Sequence, residues 1–301
     1  MQPIEDDDTL DQAVSVFLSV RPRLFGIAYR MLGTIAEAED IMQDAWLRWQ
    51  SIDRATVQDP TAFLITTTTR LAINLMQSAP TRRETYIGTW LPEPVDTSSD
   101  PTLGAERGEA LELAVLLLLE KLTPNERAAY VLREAFDYSY SEIANMLQIT
   151  EVNTRQLFTR ARKHIADERR TPANIAERRR LLAAFVSAAQ TGDLAALEKL
   201  FAADVVSYSD GGGVVTAARI PVLGRTRVAK FTSSLVSPLL RGVTLTPMET
   251  NGQPSVLISR GGTLVALVSI DASELGIGQI MWIMNPAKLA AISKSGSHPS
   301  I

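Results

Sequence analysis

The spacing of apolar residues changes once along this chain, and that change limits what it can fold into. Before about Arg180, apolar side chains recur every three to four positions, as in Val14, Phe17, Leu18, Leu24, Ile27, Ala28, Met31 and Leu32. That is the period of helices that each bury one stripe. Beyond Asp204 they gather in short β-branched runs cut by glycine, at 205–208, 243–248, 256–259, 264–270 and 280–284. The turn pairs Asn251-Gly252 and Gly261-Gly262 separate some of these runs, as hairpins require. The expectation is an all-helical part followed by a separate α+β domain, and 301 residues suffice for about two domains of ~150 each.

Within the helical part, Gly33-Thr34 breaks the first helix and a second runs through Ile41, Ala45 and Trp49. Asp59-Pro60 opens a third helix, from Thr61 to about Gln77, that Pro80 stops. Residues 92–108 hold Pro92, Pro94, Pro101, Gly104 and several acids among few apolar residues, which is the composition of a linker. Helices resume over 111–122 and 124–136. Two short ones, 181–190 and 194–201, flank Gly192-Asp193, and another near 225–236 interrupts the strands.

Composition removes several chemistries. The chain has no cysteine, so disulfides, thiolate metal sites and cysteine nucleophiles are excluded. Its two histidines, His164 and His298, lie far apart, which argues against a histidine metal site or a Ser-His-Asp triad. No cofactor, metal or catalytic residue is expected. The longest purely apolar run, 113–119, falls short of the ~20 residues of a membrane helix. The acidic start lacks the pattern of a signal peptide, so a cytoplasmic protein is expected.

The net charge of −4 hides an uneven distribution. Residues 151–180 carry nine Arg/Lys against four acids, whereas residues 1–50 carry four against nine. Different segments should therefore meet different partners. In the basic stretch, Ser139 and Glu142 form an S-x-x-E capping box, Gln148-Ile149 makes a turn, and Thr150 can cap a second helix. There Thr154, Phe158, Ala161 and Ile165 should face inward. The opposite face presents Glu151, Asn153, Arg155, Gln156, Thr159, Arg160, Arg162 and Lys163, suited to base edges and phosphates. This is a helix-turn-helix pattern.

The flanking residues carry a resemblance. Leu122-Thr123-Pro124, Glu126-Arg127, Val131-Leu132-Arg133-Glu134, Ser141-Glu142-Ile143-Ala144 and Arg160-Ala161-Arg162 resemble region 4 of the extracytoplasmic-function RNA polymerase sigma factors. Upstream, the run from Ala38 to Trp46 (AEDIMQDAW) resembles region 2.2. Pro60-Thr61-Ala62-Phe63-Leu64 and Arg70-Leu71-Ala72-Ile73-Asn74 resemble regions 2.3 and 2.4. The resemblance implies a multidomain chain: two all-α sigma domains at 1–91 (the region 2 helical bundle) and 109–172 (the region 4 helix-turn-helix), joined by an acidic linker at 92–108. It implies that Asp40, Gln43, Asp44 and Leu47 meet the clamp coiled coil of the largest subunit of core polymerase, whose flap is a further contact. Asn74 would hold a flipped base of the −10 element, with Arg70, Arg82 and Arg83 on phosphates. The exposed face of the second helix-turn-helix helix would read the −35 element of promoter DNA. The linker acids would thread towards the basic active-site and RNA-exit channels.

The remainder, 173–301, resembles at 194–205 the opening of a SnoaL-like, NTF2-type α+β cone, carried by a subgroup of these sigma factors. That subgroup shows a Trp-Leu-Pro-Glu-Pro motif, here Trp90, Leu91, Pro92, Glu93 and Pro94. It also shows an Asp-Gly-Gly-Gly motif, here Asp210, Gly211, Gly212 and Gly213, and an Asn-Pro-x-Lys-Leu motif at Asn285, Pro286, Lys288 and Leu289. Val214 and Ala287 depart from it, standing where Lys and Asp are expected. The domain is expected to modulate promoter-specific initiation, with room for a small-molecule ligand. Acids available for catalysis there are Asp204, Asp210 and Asp271, without a histidine, so an enzyme is not expected. The alternative is a stand-alone helix-turn-helix regulator with a ligand-sensing domain.

Overall fold

The computed structural model of the chain describes residues 5–78, 86–98 and 111–295. These form two compact units that do not follow chain order. The first holds 5–78, 111 and 118–166, and the second holds 86–98, 112–117 and 167–295.

The first unit opens with α1 (Glu5–Leu32), α2 (Ile35–Ser51) and α3 (Pro60–Ser78). They pack on one another through Leu24, Ile27, Ala28, Met31, Ile41, Ala45, Trp49, Leu64 and Ala72, which are all buried. Gly33 takes φ 73, a left-handed conformation that ends α1 at low cost. After α4 (Leu113–Leu119) come α5 (Pro124–Glu134), α6 (Tyr140–Leu147) and α7 (Glu151–Glu168). Thr123 caps α5 in a capping box with Glu126, and Pro124 sits where its missing N–H costs nothing. Arg127 is buried where α5 meets α1, donating to Met31 O at 2.6 Å and to Glu120 at 2.7 Å. Both helical groups thus belong to a single unit.

The second unit is a six-stranded sheet with helices. It comprises α8 (Ile175–Thr191), α9 (Leu194–Leu200), β1 (Phe201–Asp210), β2 (Val222–Leu223), α10 (Arg225–Phe231), β3 (Thr244–Thr250), β4 (Gln253–Arg260), β5 (Thr263–Ser273), β6 (Gly276–Ile283) and α11 (Pro286–Ser295). Strand order is β2-β1-β6-β5-β4-β3, antiparallel except for the β1–β6 pair. The predicted hairpin turn Asn251-Gly252 has both residues at positive φ, which suits the twist of the flanking strands.

Both faces of the sheet are covered, and period-2 alternation assigns the residues. Ala266, Val268, Ile270, Ile280 and Trp282 pack with Leu182, Phe185, Leu197 and Val228 from α8, α9 and α10. Leu267, Met281 and Ile283 point the other way, onto Leu91, Leu113, Ala114, Leu289 and Ile292. Complete burial of Leu91 contributes about 2–3 kcal/mol.

Several features differ from the sequence expectations, among them a C-terminal helix at Pro286–Ser295 that was not expected and Phe201, which opens β1 instead of ending a helix. The helix expected from 181 begins at Ile175, because Asn174 caps it by accepting from Glu177 N at 2.9 Å. The two-residue β2 was too short to show a period. Residues 92–98, read as part of a linker, lie against the sheet domain. Val95 N donates to Asn251 Oδ1 at 2.9 Å, Asn251 N donates to Val95 O at 2.8 Å, and Asp96 bridges Thr250 in antiparallel fashion. A Pro-rich segment has few backbone donors, and those of Val95 and Thr97 are satisfied by the β3–β4 end of the domain.

Candidate nucleic-acid interface and a buried clasp

The helix-turn-helix is set by local chemistry. Ser139 Oγ accepts from Glu142 N at 3.2 Å while the Glu142 carboxylate accepts from Ser139 N at 2.7 Å. The resulting bonds hold the Glu142 carboxyl below the ordinary range. Gln148 turns the chain at φ 55, and Thr150 Oγ1 caps α7 by accepting from Asn153 N at 3.2 Å. Thr154, Phe158, Ala161 and Ile165 are buried. Glu151, Asn153, Arg155, Gln156, Thr159, Arg160, Arg162 and Lys163 are all exposed on the other side. Arg155 is pre-positioned: its guanidinium pairs with Glu151 at 2.5 Å and lies 4.5 Å from the Tyr140 ring centroid.

On α2, Ala38, Ile41, Met42, Ala45 and Trp49 face inward, leaving Asp40, Gln43, Asp44 and Leu47 exposed. Leu47 is 60% exposed, an apolar side chain on a polar surface. On α3, Asn74 is exposed, whereas Arg70 is half-buried and donates through Nε to Met146 O at 2.9 Å. Arg70 is therefore engaged with α6 in this structure. Arg82 and Arg83 lie outside the described residues.

The three motifs singled out in the second unit converge. Asp210, at the end of β1, has no solvent exposure and accepts from four donors. Its Oδ1 accepts from Tyr86 Oη at 2.5 Å and Gly212 N at 3.0 Å. Its Oδ2 accepts from Leu91 N at 3.0 Å and Lys288 Nζ at 2.7 Å. Lys288 Nζ also donates to Leu91 O and sits 4.6 Å from the Trp90 ring centroid. Asn285 Nδ2 donates to Tyr86 Oη at 3.0 Å, and Met284 N donates to Asp210 O at 2.8 Å. Pro92 and Pro94 are buried beside this clasp, Glu93 is half-buried and Pro286 exposed.

The glycines are demanded by space as well as by φ. A Cβ on Gly211 would lie 2.2 Å from Val215 O, and one on Gly212 (φ 63) would lie 2.4 Å from Asn285 Nδ2. One on Gly213 (φ 73) would press on Ile87 at 3.1 Å. Val214 and Ala287, the departures from the expected motifs, are both exposed, and the clasp closes without them. Its bonds leave Asp210 no open face from which to act as a base.

Tyr86 belongs to the clasp but was not among the expected residues, since a lone tyrosine beside a linker carries no pattern. Its burial and its bond to Asp210 raise the phenol above the ordinary tyrosine range. A second buried cluster was also missed. Glu112 pairs with Arg169 and lies 3.4 Å from Arg178, and Gln253 Nε2 donates to it at 3.0 Å. Arg178 also bonds Gln253 Oε1 and approaches Asp271 at 3.8 Å. Burial raises the Glu112 and Asp271 carboxyls above their usual values, while the two guanidinium groups hold them down. Glu112 sits in a leucine-rich run that reads as core, and its partners lie 57 and more residues away, so only folding assembles the cluster. Among the described residues no group of His, Asp and Glu is placed to hold a metal ion, and no helix is long and apolar enough to cross a membrane.

Comparison with known proteins adds to this geometry. Residues 16–80 match the sigma-70 region 2 family model and residues 112–165 match that of sigma-70 region 4. The ECF RNA polymerase sigma factor SigJ of Mycobacterium tuberculosis is 38% identical over 231 residues, covering 74% of this chain and 73% of the relative. A probable ECF RNA polymerase sigma factor of the same organism, SigI, is 32% identical over 290 residues, covering 93% and 95%. The crystal structure of M. tuberculosis SigJ superposes with a TM-score of 0.75 at 31% identity, covering 93% of this chain and 99% of that one.

Proposed function

The chain belongs to the extracytoplasmic-function RNA polymerase sigma factors, and from that premise we propose how its parts divide the work of promoter-specific initiation. Its two helical sigma regions are followed by the SnoaL-like α+β extension. The exposed face of α2 docks on the clamp coiled coil of core polymerase, with Leu47 at the centre and Asp40, Gln43 and Asp44 around it. The acids complement a basic partner and steer the encounter, while the leucine supplies apolar contact. Region 4 meets the flap. Asn74 holds a base extruded from the −10 element, with Arg70, Arg82 and Arg83 on the backbone, and α7 reads the −35 element. RNA synthesis itself belongs to the polymerase, so this chain contributes recognition and not catalysis. The protein acts in the cytoplasm, where its polymerase is.

The observation that carries this reading is the exposed face of α7. All eight polar and basic residues expected to read DNA lie on the solvent side of a helix whose other side is buried. A stand-alone helix-turn-helix regulator is not favoured, because it has no use for a region 2 bundle with an acid-flanked Leu47.

The compact first unit is then a closed state. The two promoter elements, by their positions, lie about 25 base pairs apart, or ~85 Å at 3.4 Å per step. The hydrogen bond from Arg70 on α3 to Met146 on α6 cannot span that distance, so engaging both elements opens the unit and frees Arg70 for phosphate. The sheet domain modulates this opening through its hold on the Trp90–Pro94 segment, which connects the two sigma regions in sequence.

In vitro transcription with purified core polymerase tests the assignment, comparing the full chain, a chain ending after Thr171 and a Lys288→Met variant. The full chain is expected to direct specific initiation, and the other two to bind core but give altered output. Failure of all three to bind core and initiate would overturn the reading.

A further inference from the structure

A cavity of about 760 Å³ opens in the sheet domain, between the face carrying Ile258, Ala266 and Trp282 and the segment that continues α10. That volume lies in the range of roughly 300–1,000 Å³ typical of small-molecule sites. The segment is irregular: a π-helical turn at Thr232–Val236 leads into a 3₁₀ turn at Ser237–Leu240. Such π turns recur at functional sites, because they widen a helix and re-aim its side chains. Leu235 and Leu239 line the cavity yet are 62% and 53% exposed, so they stand where it meets solvent. An apolar lining that stays open to water favours an occupant with an apolar body.

The charge balance names the other end of that occupant. No Asp or Glu is among the described lining residues, and Arg260 is the single charged one. Its Nη2 donates to Leu239 O at 2.6 Å, which holds the guanidinium beside the cavity's edge. A guanidinium carries five N–H donors in a planar fork, a match for one carboxylate. We propose that this cavity binds an amphipathic monocarboxylate, with the apolar body between the sheet and the π-helical segment and the carboxylate on Arg260.

The wall of the cavity is continuous with the clasp. Ser209 precedes Asp210, Met284 N bonds Asp210 O, and Val215 N bonds Gly211 O in the glycine turn. A bound molecule therefore touches the strand ends and the loop from which the clasp is built. The site stands on its own geometry, whatever the sign of the domain's effect on transcription.

Isothermal titration of the full chain with dodecanoate and with dodecanol, each below its aggregation limit, tests the proposal. Dodecanoate is expected to bind one to one. Arg260→Gln should weaken dodecanoate roughly tenfold by removing a charge-assisted contact while leaving dodecanol unchanged. Ala218→Trp, which fills the cavity from the loop side, should abolish binding of both ligands at an unaltered unfolding midpoint. Because Arg260 is exposed, its variant folds even if the tryptophan is not tolerated. No binding of dodecanoate by the unmodified chain, or an equal loss for both ligands in Arg260→Gln, would overturn the site. The measurement involves neither polymerase nor promoter, so its failure is distinct from failure of the sigma assignment.

Discussion

Replacing Lys288 by Met isolates the charge at the heart of the clasp. Met keeps the apolar stem and removes the ammonium, so Asp210, with no exposure, loses its ion partner at 2.7 Å. Breaking a buried pair from one side costs about 3–5 kcal/mol, because the remaining charge stays out of water. Three donors remain on Asp210, namely Tyr86 Oη, Leu91 N and Gly212 N, which places the expectation near the lower end, about 3 kcal/mol. Asp210→Asn removes the anionic half of the same pair and should cost a similar amount. In the double variant both charges of the pair are gone, so neither is left facing the loss of the other. It should cost little more than either single change, giving a coupling of at least about 2 kcal/mol. Urea unfolding of the full chain measures this, in a Trp46→Phe/Trp49→Phe background where fluorescence reports Trp90 and Trp282 of the sheet domain. Additive single costs would show that the two side chains do not act as a pair, and the account of the clasp would fail.

Gly212→Ala should destabilise the sheet domain well beyond Gly252→Ala. Both sites have positive φ, worth about 1–2 kcal/mol for an L-residue, but only the first meets Asn285, and thermal unfolding compares them. Arg155→Ala should weaken −35 binding by about 1–3 kcal/mol and relax sequence preference. Lys163→Ala should instead weaken all sequences alike and lower the salt slope by about one, as binding titrations across ionic strength would reveal. Leu47→Asp should abolish core binding in a pull-down while leaving the urea midpoint nearly unchanged, since the side chain is 60% exposed. Tyr86, whose phenol is raised, contributes stability that is complete below the ordinary tyrosine value and is lost as pH climbs through the raised one. Alkaline titration by phenolate absorbance should therefore show a late-ionising tyrosine that Tyr86→Phe removes.

The helical part was legible because its signals are local. A capping box needs residues three apart and a buried stripe needs residues three or four apart, so Ser139, Glu142, Thr154, Phe158, Ala161 and Ile165 could be assigned from the sequence alone. The same holds for the exposed set on α7, which is what remains once the inward positions are taken, whereas the set on α2 was implied by the resemblance to region 2.2. Five strands were visible for the equivalent reason, and β2 was not because two residues have no period. Residues 92–98 looked like a tether, since composition reports how few apolar groups a segment has and not whether a receiving surface exists.

Sequence by itself thus determined the family, the order of its sigma regions and sheet domain, the exposed face of α7 and the three motifs at Trp90–Pro94, Asp210–Gly213 and Asn285–Leu289. Tertiary structure alone decided that these motifs form one object, with Asp210 buried among Tyr86, Leu91, Gly212 and Lys288. It also decided that Arg70 spends its donor on Met146, and that Glu112 meets Arg169 and Arg178. The physical reason is range. Helical period, capping and turn preference act over a few residues, whereas a buried charge finds its counter-ion wherever the fold delivers one, here 78 residues along the chain.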